Sequence, residues 1–293
     1  MTIDFQPGRG DNNREPTRQL DIERIDGDSS TNQPDVVAVE QPLEIRLQYT
    51  LLDRRAERSL SVTMRTPGAD RRLAAGFLYG EGIVSRLDDI DRVTDGSDAD
   101  GPDGHNVVTV SVGPEVDVDV ASVQRNFYTT SSCGVCGKGS LEALEVDQCS
   151  RLDTTDFTVG ADVIRRLPDN LRGAQPLFDD TGGIHAAGLF NPDGELLELC
   201  EDVGRHNALD KLVGARLLAG RLPADETIAV LSGRASFELL QKALRARISV
   251  VVAVGAPSSL AVELARHFGI TLVGFARKQR CNVYAHPERI STP

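Results

Sequence analysis

The sequence predicts an α/β protein with a β-rich N-terminal part, and three observations carry that expectation. The C-terminal third alternates strand-like and helix-like stretches: Thr227 to Leu231, Ala235 to Ala246, Ile248 to Val254, Ser259 to Phe268 and Ile270 to Ala276. Its strand stretches are continuously apolar, the pattern of strands buried on both faces in a parallel sheet covered by helices. Upstream, Leu43 to Tyr49 and Leu60 to Thr66 alternate apolar and polar residues instead, as strands with one wet face do. The expected organisation is a disordered tail over 1–34, a β-rich subdomain over 35–126 and an α/β domain over 127–293.

Taken in order, residues 1–34 are polar, rich in Asp, Asn, Arg and Thr, and without sustained periodicity. Val36 to Glu40 and Leu43 to Tyr49 are expected strands. Leu60, Val62 and Met64 define one face of the next. Arg71 to Tyr79 reads as a short helix ended by Gly80 and Gly82. Asp88 to His105, with its acidic 95–104 stretch, reads as a solvated loop or insertion. Val107 to Val112 is a strand, and Val116 to Val120 an edge strand. Ser140 to Val146 starts a helix, Phe157 to Leu167 forms another, and Asp169 to Asp180 connects. Thr181 to Phe190 and Glu195 to Cys200 flank an Asn191-Pro192-Asp193-Gly194 turn, the pattern of a hairpin. Asp202 is placed to cap a helix over Gly204 to Ala219.

Composition narrows the class. No run approaches the roughly 20 apolar residues that span a bilayer, and Met1 to Gly10 has no signal-peptide core, so a cytoplasmic protein with no membrane association is expected. Net charge is −12 and uneven: Val203 to Pro293 carries 13 Lys+Arg against 6 Asp+Glu, or +7, leaving −19 upstream. Only four basic residues are lysine: Lys138, Lys211, Lys242 and Lys278. Acidic, lysine-poor composition fits solvation in high salt. A positive region inside an acidic chain points to a local anion site rather than a nucleic-acid surface. The plainer reading is ordinary surface arginine.

The chemistry centres on Tyr128-Thr129-Thr130-Ser131-Ser132-Cys133-Gly134-Val135-Cys136-Gly137-Lys138-Gly139-Ser140. Glycines and hydroxyls surround Cys133 and Cys136, so the stretch reads as a mobile loop presenting sulfur. Three roles fit a thiol pair. A thioredoxin-type couple opens a helix directly after a strand, and no strong strand stands immediately before this pair. Structural zinc takes four ligands, yet Cys149, Cys200 and Cys281 stand alone, so no metal site is expected. A sulfur acceptor needs a nucleophilic thiolate on a movable arm, and Lys138 stands ready to stabilise one. Inert cysteines are the remaining reading, though those usually sit among apolar residues.

Two further constellations could hold an anion. Glu201 to Lys211 gathers Arg205, His206 and Asn207 at a helix start. His206 and His185 are each open to an acid–base role or to a plain structural hydrogen bond. Ligands of parallel sheets bind outside the strands' carboxyl ends. There stand Ser232-Gly233-Arg234, Gly255-Ala256-Pro257-Ser258-Ser259 and Phe275-Ala276-Arg277-Lys278-Gln279-Arg280, cations beside an aromatic that suit a phosphate and a base.

Several stretches resemble the FdhD/NarQ family of sulfur-carrier proteins required for formate dehydrogenase activity. They include Thr130 to Lys138, Gly182-Gly183-Ile184-His185-Ala186-Ala187, Glu201 to Lys211, Leu231 to Glu238, Ala256 to Ala261, Val273 to Arg277 and Gly76 to Ile83. The resemblance spans roughly residues 36–290. It implies a three-layer α/β/α sandwich similar to the cytidine deaminases without their zinc motif, and a homodimer. It also implies that a cysteine desulfurase loads sulfur on Cys133 or Cys136, Cys133 being favoured. The acceptor would be the molybdenum or tungsten of a bis-guanine-dinucleotide pterin cofactor, bound before insertion into the formate dehydrogenase catalytic subunit. Phe275, Ala276, Arg277, Lys278, Gln279 and Arg280 would contact the dinucleotide, with Ser232, Gly233 and Arg234 assisting. The alternative is a non-catalytic cofactor-binding chaperone with a structural metal at the cysteines.

Overall fold

A computed structural model describes residues 15–52, 54–96, 106–116, 118, 150–152 and 157–292. The expected cysteine loop, the helix from Ser140, most of the Val116 to Val120 strand and the acidic stretch beyond residue 96 lie outside the described residues.

The first described element is a β-hairpin, β1 (Thr17–Asp26) and β2 (Ser29–Ala38), paired in register over ten residues. This corrects the expected irregular tail from residue 17 onward. The hairpin has no core to fill, so its residues carry little apolar periodicity. Gly27, at φ +60°, supplies the left-handed turn between its strands.

Next comes a four-stranded sheet of order β4-β3-β6-β5. It contains β3 (Gln41–Leu51), β4 (Arg54–Arg65), β5 (Ile90–Asp95) and β6 (Val107–Val112). β5 forms from part of the stretch expected as a solvated loop, because Ile90 and Val93 pair with Val112 and Val110. β3 and β6 run parallel, and Leu43, Ile45, Leu47, Val108 and Val110 are fully buried. A register shift opposite Ile45 and Arg46 alters β4. Leu60 stays buried while Val62 and Met64 face outward, and Arg65 turns in to meet Asp70 at 2.7 Å. The expected single apolar face of β4 is therefore broken, since a bulge flips every residue after it.

Helix α1 (Asp70–Gly80) carries Leu73, Ala74 and Leu78 into the core. Helix α2 (Ala161–Arg172) follows the short β7 (Val159–Gly160) and runs past Pro168, beyond the expected end at Leu167. Ile164, Leu167 and Leu171 keep one buried face through the proline, and that packing outweighs the lost hydrogen bond. The expected connector contains a one-turn helix, α3 (Pro176–Thr181), opened by Pro176.

The larger sheet has order β13-β12-β11-β10-β8-β9. Its strands are β8 (His185–Phe190), β9 (Leu196–Asp202), β10 (Ile228–Leu231), β11 (Val250–Ala253), β12 (Thr271–Arg277) and β13 (Arg280–Ala285). The three central strands β10, β11 and β12 are parallel, as expected from their apolar sequences, and antiparallel strands flank them. Helices α4 (Arg205–Leu218), α5 (Phe237–Arg245) and α6 (Ser259–Phe268) pack with Ala187, Leu231, Val251 and Leu272 on one face. α2 covers Ile228, Val230, Val252 and Val273 on the other.

The two sheets share the larger core, which joins Leu47, Leu73 and Val110 to Leu212, Leu240 and Leu264. At its centre α1 crosses α4 through Gly76 and Gly214. A Cβ on Gly76 would overlap the Asp210 carbonyl oxygen, and one on Gly214 the Arg72 carbonyl oxygen. At the far end, β14 (Ile290–Ser291) pairs in parallel with β7. Buried Arg289 donates to Gly269 O at 2.7 Å and Leu152 O at 3.4 Å.

Candidate functional site

The carboxyl ends of β10, β11 and β12 are stitched together by main chain. Gly255 N donates to Gly233 O at 2.9 Å, and Phe275 N donates to Gly255 O at 3.0 Å. Ala235 N donates to Ala256 O at 3.2 Å, and Ser258 N to Ala235 O at 3.0 Å. Gly233, Gly255 and Phe275 thus stand in a row across three strands. Side chains would disturb that row: a Cβ on Gly255 would stand 3.1 Å from Gly233 O, and one on Gly233 3.4 Å from the His185 ring.

Phe275 adopts φ +52°, a conformation rare for a bulky residue. The register between β12 and β13 shifts there: Gly274 opposes Asn282 and Arg277 opposes Arg280, so two residues face Cys281. This bulge sits at the carboxyl edge, where Phe275 is half-buried. Ala276 is buried in the apolar cluster under α2, so its side chain stays inside. Arg277, Lys278, Gln279 and Arg280 are exposed and form the hairpin turn into β13 rather than a strand's free end. The structure brings Ser232, Gly233 and Phe275 together at one edge, with Arg234 exposed beside them.

Behind this edge lies a polar cluster. Ser232 Oγ accepts from Ala186 N at 2.9 Å and lies 3.4 Å from His185 Nδ1. Ser236 Oγ lies 3.2 Å from His206 Nε2, and Glu238 is 3.5 Å from the same nitrogen. Burial, then the Arg205 and Lys242 charges and His185, pulls His206 down to about 3. Burial and then Arg205 lower His185 against the pull of Asp202. Both imidazoles are therefore held neutral at neutral pH, and each has a serine hydroxyl within hydrogen-bond distance. Arg205 Nε is buried without a hydrogen-bond partner among the described residues. Ser236 and Glu238 escaped the sequence reading, although both belong to the Leu231 to Glu238 motif.

Asp202 is not a helix cap. Gly204 holds that position, and Asp202 is fully buried. Its carboxylate meets Lys211 Nζ at 2.7 Å and accepts from Gly204 N, Thr66 N and Asn207 Nδ2. Lys211 also donates to Thr66 O and Glu201 O, tying the N-terminal sheet to β9 and α4. Glu201 in turn accepts from Leu177 N and Phe178 N at the start of α3. Cys200 is buried, and burial, reinforced by Glu198, pushes its thiol up to about 12, which leaves it inert at neutral pH. Cys133 and Cys136 lie outside the described residues. Among the described residues no three metal-ligating side chains converge, and no helix is long and apolar enough to cross a membrane.

Fold and site together define a mixed α/β protein whose parallel strands end at a glycine-lined edge flanked by an aromatic and cations. The model of the FdhD/NarQ family matches residues 38–291, and the chain belongs to that family. The sulfur carrier protein FdhD of Streptomyces avermitilis is 47% identical over 278 residues, covering 94% of this chain and 96% of the relative. That of Saccharolobus solfataricus is 37% identical over 273 residues, covering 93% and 98%. A crystal structure from Desulfotalea psychrophila, provisionally described as a formate dehydrogenase accessory protein, superposes with a TM-score of 0.72 at 26% identity. It covers 94% of this chain and 100% of its own.

Proposed function

We propose that this protein is a cytoplasmic sulfurtransferase that carries sulfur for formate dehydrogenase maturation. The observation that carries the reading is the near full-length similarity to proteins named sulfur carrier. A cysteine desulfurase loads Cys133: its thiolate attacks the outer sulfur of the donor's persulfide, a new S–S bond forms as the donor's breaks, and the donor leaves as a thiolate. Cys136 is the second thiol of the site. The carried sulfur goes to the molybdenum, or tungsten, of a bis-guanine-dinucleotide pterin cofactor, bound here as cargo before it reaches the dehydrogenase catalytic subunit: Cys136 attacks Cys133 Sγ, the persulfide S–S bond breaks, and sulfur leaves at the sulfide level as the two cysteines close a disulfide.

The carboxyl edge supports that cargo role. Phe275 offers a ring for a base, and Arg277, Lys278, Arg280 and Arg234 offer charge for phosphates. Gln279, Ser232 and Gly233 offer hydrogen bonds, while Ala276 can contribute only main chain. Arg205 Nε, a buried donor lacking an acceptor among the described residues, suits an anionic visitor. The same reading takes the larger sheet with helices on two faces as a cytidine-deaminase-like sandwich, and the working unit as a homodimer.

Mass mapping tests it. After incubation with a desulfurase and cysteine, the tryptic peptide 126–138 is expected to gain about 32 Da, one sulfur atom. Cys133→Ala abolishes both the adduct and dehydrogenase activation. No adduct in the wild type, or full activation by Cys133→Ala, sinks the reading. Stoichiometric zinc lost with either cysteine would favour the chaperone instead.

A further inference from the structure

Two open sheet edges in this molecule complement one another. The β1–β2 hairpin pairs only with itself among the described residues, touches α3, and is exposed along most of its length. Ten residues of strand span about 33 Å. A lone two-stranded ribbon is marginal in water. Pro34 removes one amide donor from β2, whereas β1 keeps all of its own. A second edge, one of several that stay open among the described residues, is β4, a terminal strand of the four-stranded sheet, with no proline in it.

Apolar exposure gathers on these two elements. Leu20 (43%), Ile25 (74%) and Val37 (36%) lie on the hairpin. Leu52 (88%), Val62 (59%) and Met64 (48%) lie on β4 and the turn before it. Their charges oppose. The hairpin carries Asp21, Glu23, Asp26, Asp28 and Asp35 against Arg18 and Arg24, a balance of −3. Along β4, Arg54, Arg55 and Arg58 stand against Glu57, apart from the buried Arg65. An uncovered long edge is an aggregation hazard, and strand addition to an edge is an established mode of recognition. Both halves of this match belong to one chain, so two copies can exchange them and close a two-fold assembly.

We propose that the Thr17–Ala38 hairpin is an exchange arm: each copy lays β1 along the β4 edge of a second copy of this chain. The proposal rests on the homodimer reading given above and adds its surface. The arm lies almost wholly ahead of residue 38, where the family match begins.

Sedimentation equilibrium of the full-length protein tests it with two charge-reversed variants, D21R/E23R on the arm and R54E/R55E on β4. Each alone is expected to dissociate at least about tenfold more readily than the wild type. Mixed in equal amounts they are expected to re-form dimers, because each reversed surface then meets an opposite one. Wild-type-like dimers of either variant alone, or monomers that stay apart on mixing, overturn the proposal. Hydrogen exchange on the wild type needs no variant: amides of β1 and β4 should gain protection as protein concentration rises. Protection independent of concentration means the chain's own residues cover these edges, and the proposal fails. A monomeric wild type that still takes the sulfur adduct at Cys133 sinks the arm and the dimer while leaving the sulfur-carrier reading standing.

Discussion

Two of the four lysines, Lys211 and Lys242, are almost fully buried, and each faces an aspartate. Lys242 Nζ lies 2.8 and 3.0 Å from the two Asp210 oxygens, joining α4 to α5. Burial opposes its charge, yet Asp210, Glu81 and Glu238 raise its pKa overall, so the ammonium persists. Removing one partner of such a pair strands the other. Lys211→Met is expected to lower stability by about 3–5 kcal/mol, measured by urea unfolding, because Asp202 then has no cation. A double variant, Lys211→Met with Asp202→Asn, should recover part of that loss. His206 gives a pH signature. Its folded pKa of about 3 lies below the ordinary 6.5, so the unfolded chain binds the extra proton between those values. Its contribution is complete above pH 6.5 and is lost as pH falls toward 3, at no more than about 1.4 kcal/mol per pH unit. His206→Gln should therefore show a shallower fall in stability than wild type between pH 6.5 and 4.5, read by denaturant midpoints at each pH. The residues of this cluster were legible in the sequence as a polar group at a helix start. Their partners were not, because Thr66 and Glu238 lie far from them in the chain.

Helix α4 is almost wholly buried, and Gly214 is the reason it can approach α1 so closely. Alanine there would ordinarily favour a helix by about 1 kcal/mol. Here its methyl would collide with the Arg72 carbonyl, so the helices must part. Gly214→Ala is expected to destabilise by about 3 kcal/mol despite its better propensity, measured by thermal and urea unfolding. Elements that fill a core were readable in advance: β10, β11 and β12 announced themselves through Ile228 to Leu231, Val250 to Ala253 and Leu272 to Val273. Those shaped by other rules were not. The first hairpin buries nothing, α2 continues through a proline because three apolar residues hold its face, and the β4 bulge moves Val62 and Met64 outward. The carboxyl-edge site was legible for a related reason, since open α/β sheets place ligands where their strands end. The bulge at Phe275 left no trace in periodicity, because it depends on pairing with β13.

The molecule as a whole carries −12, concentrated ahead of residue 203. Such excess charge repels itself, and salt screens the repulsion over a Debye length that falls to about 3 Å at 1 M. The melting temperature is expected to rise as sodium chloride goes from low concentration to 1 M, followed by circular dichroism; a flat or falling trend would show that local ion pairs outweigh the global field. Arg289 grips Leu152 and Gly269, and Ile290 pairs with Val159. The Arg289–Leu152 bond joins residues 137 apart in the chain. Bringing such distant segments together costs loop entropy before any contact rewards it, which slows folding. The clasp beside α2 is therefore expected to gain hydrogen-exchange protection late in refolding, after the helices and the local strand pairs.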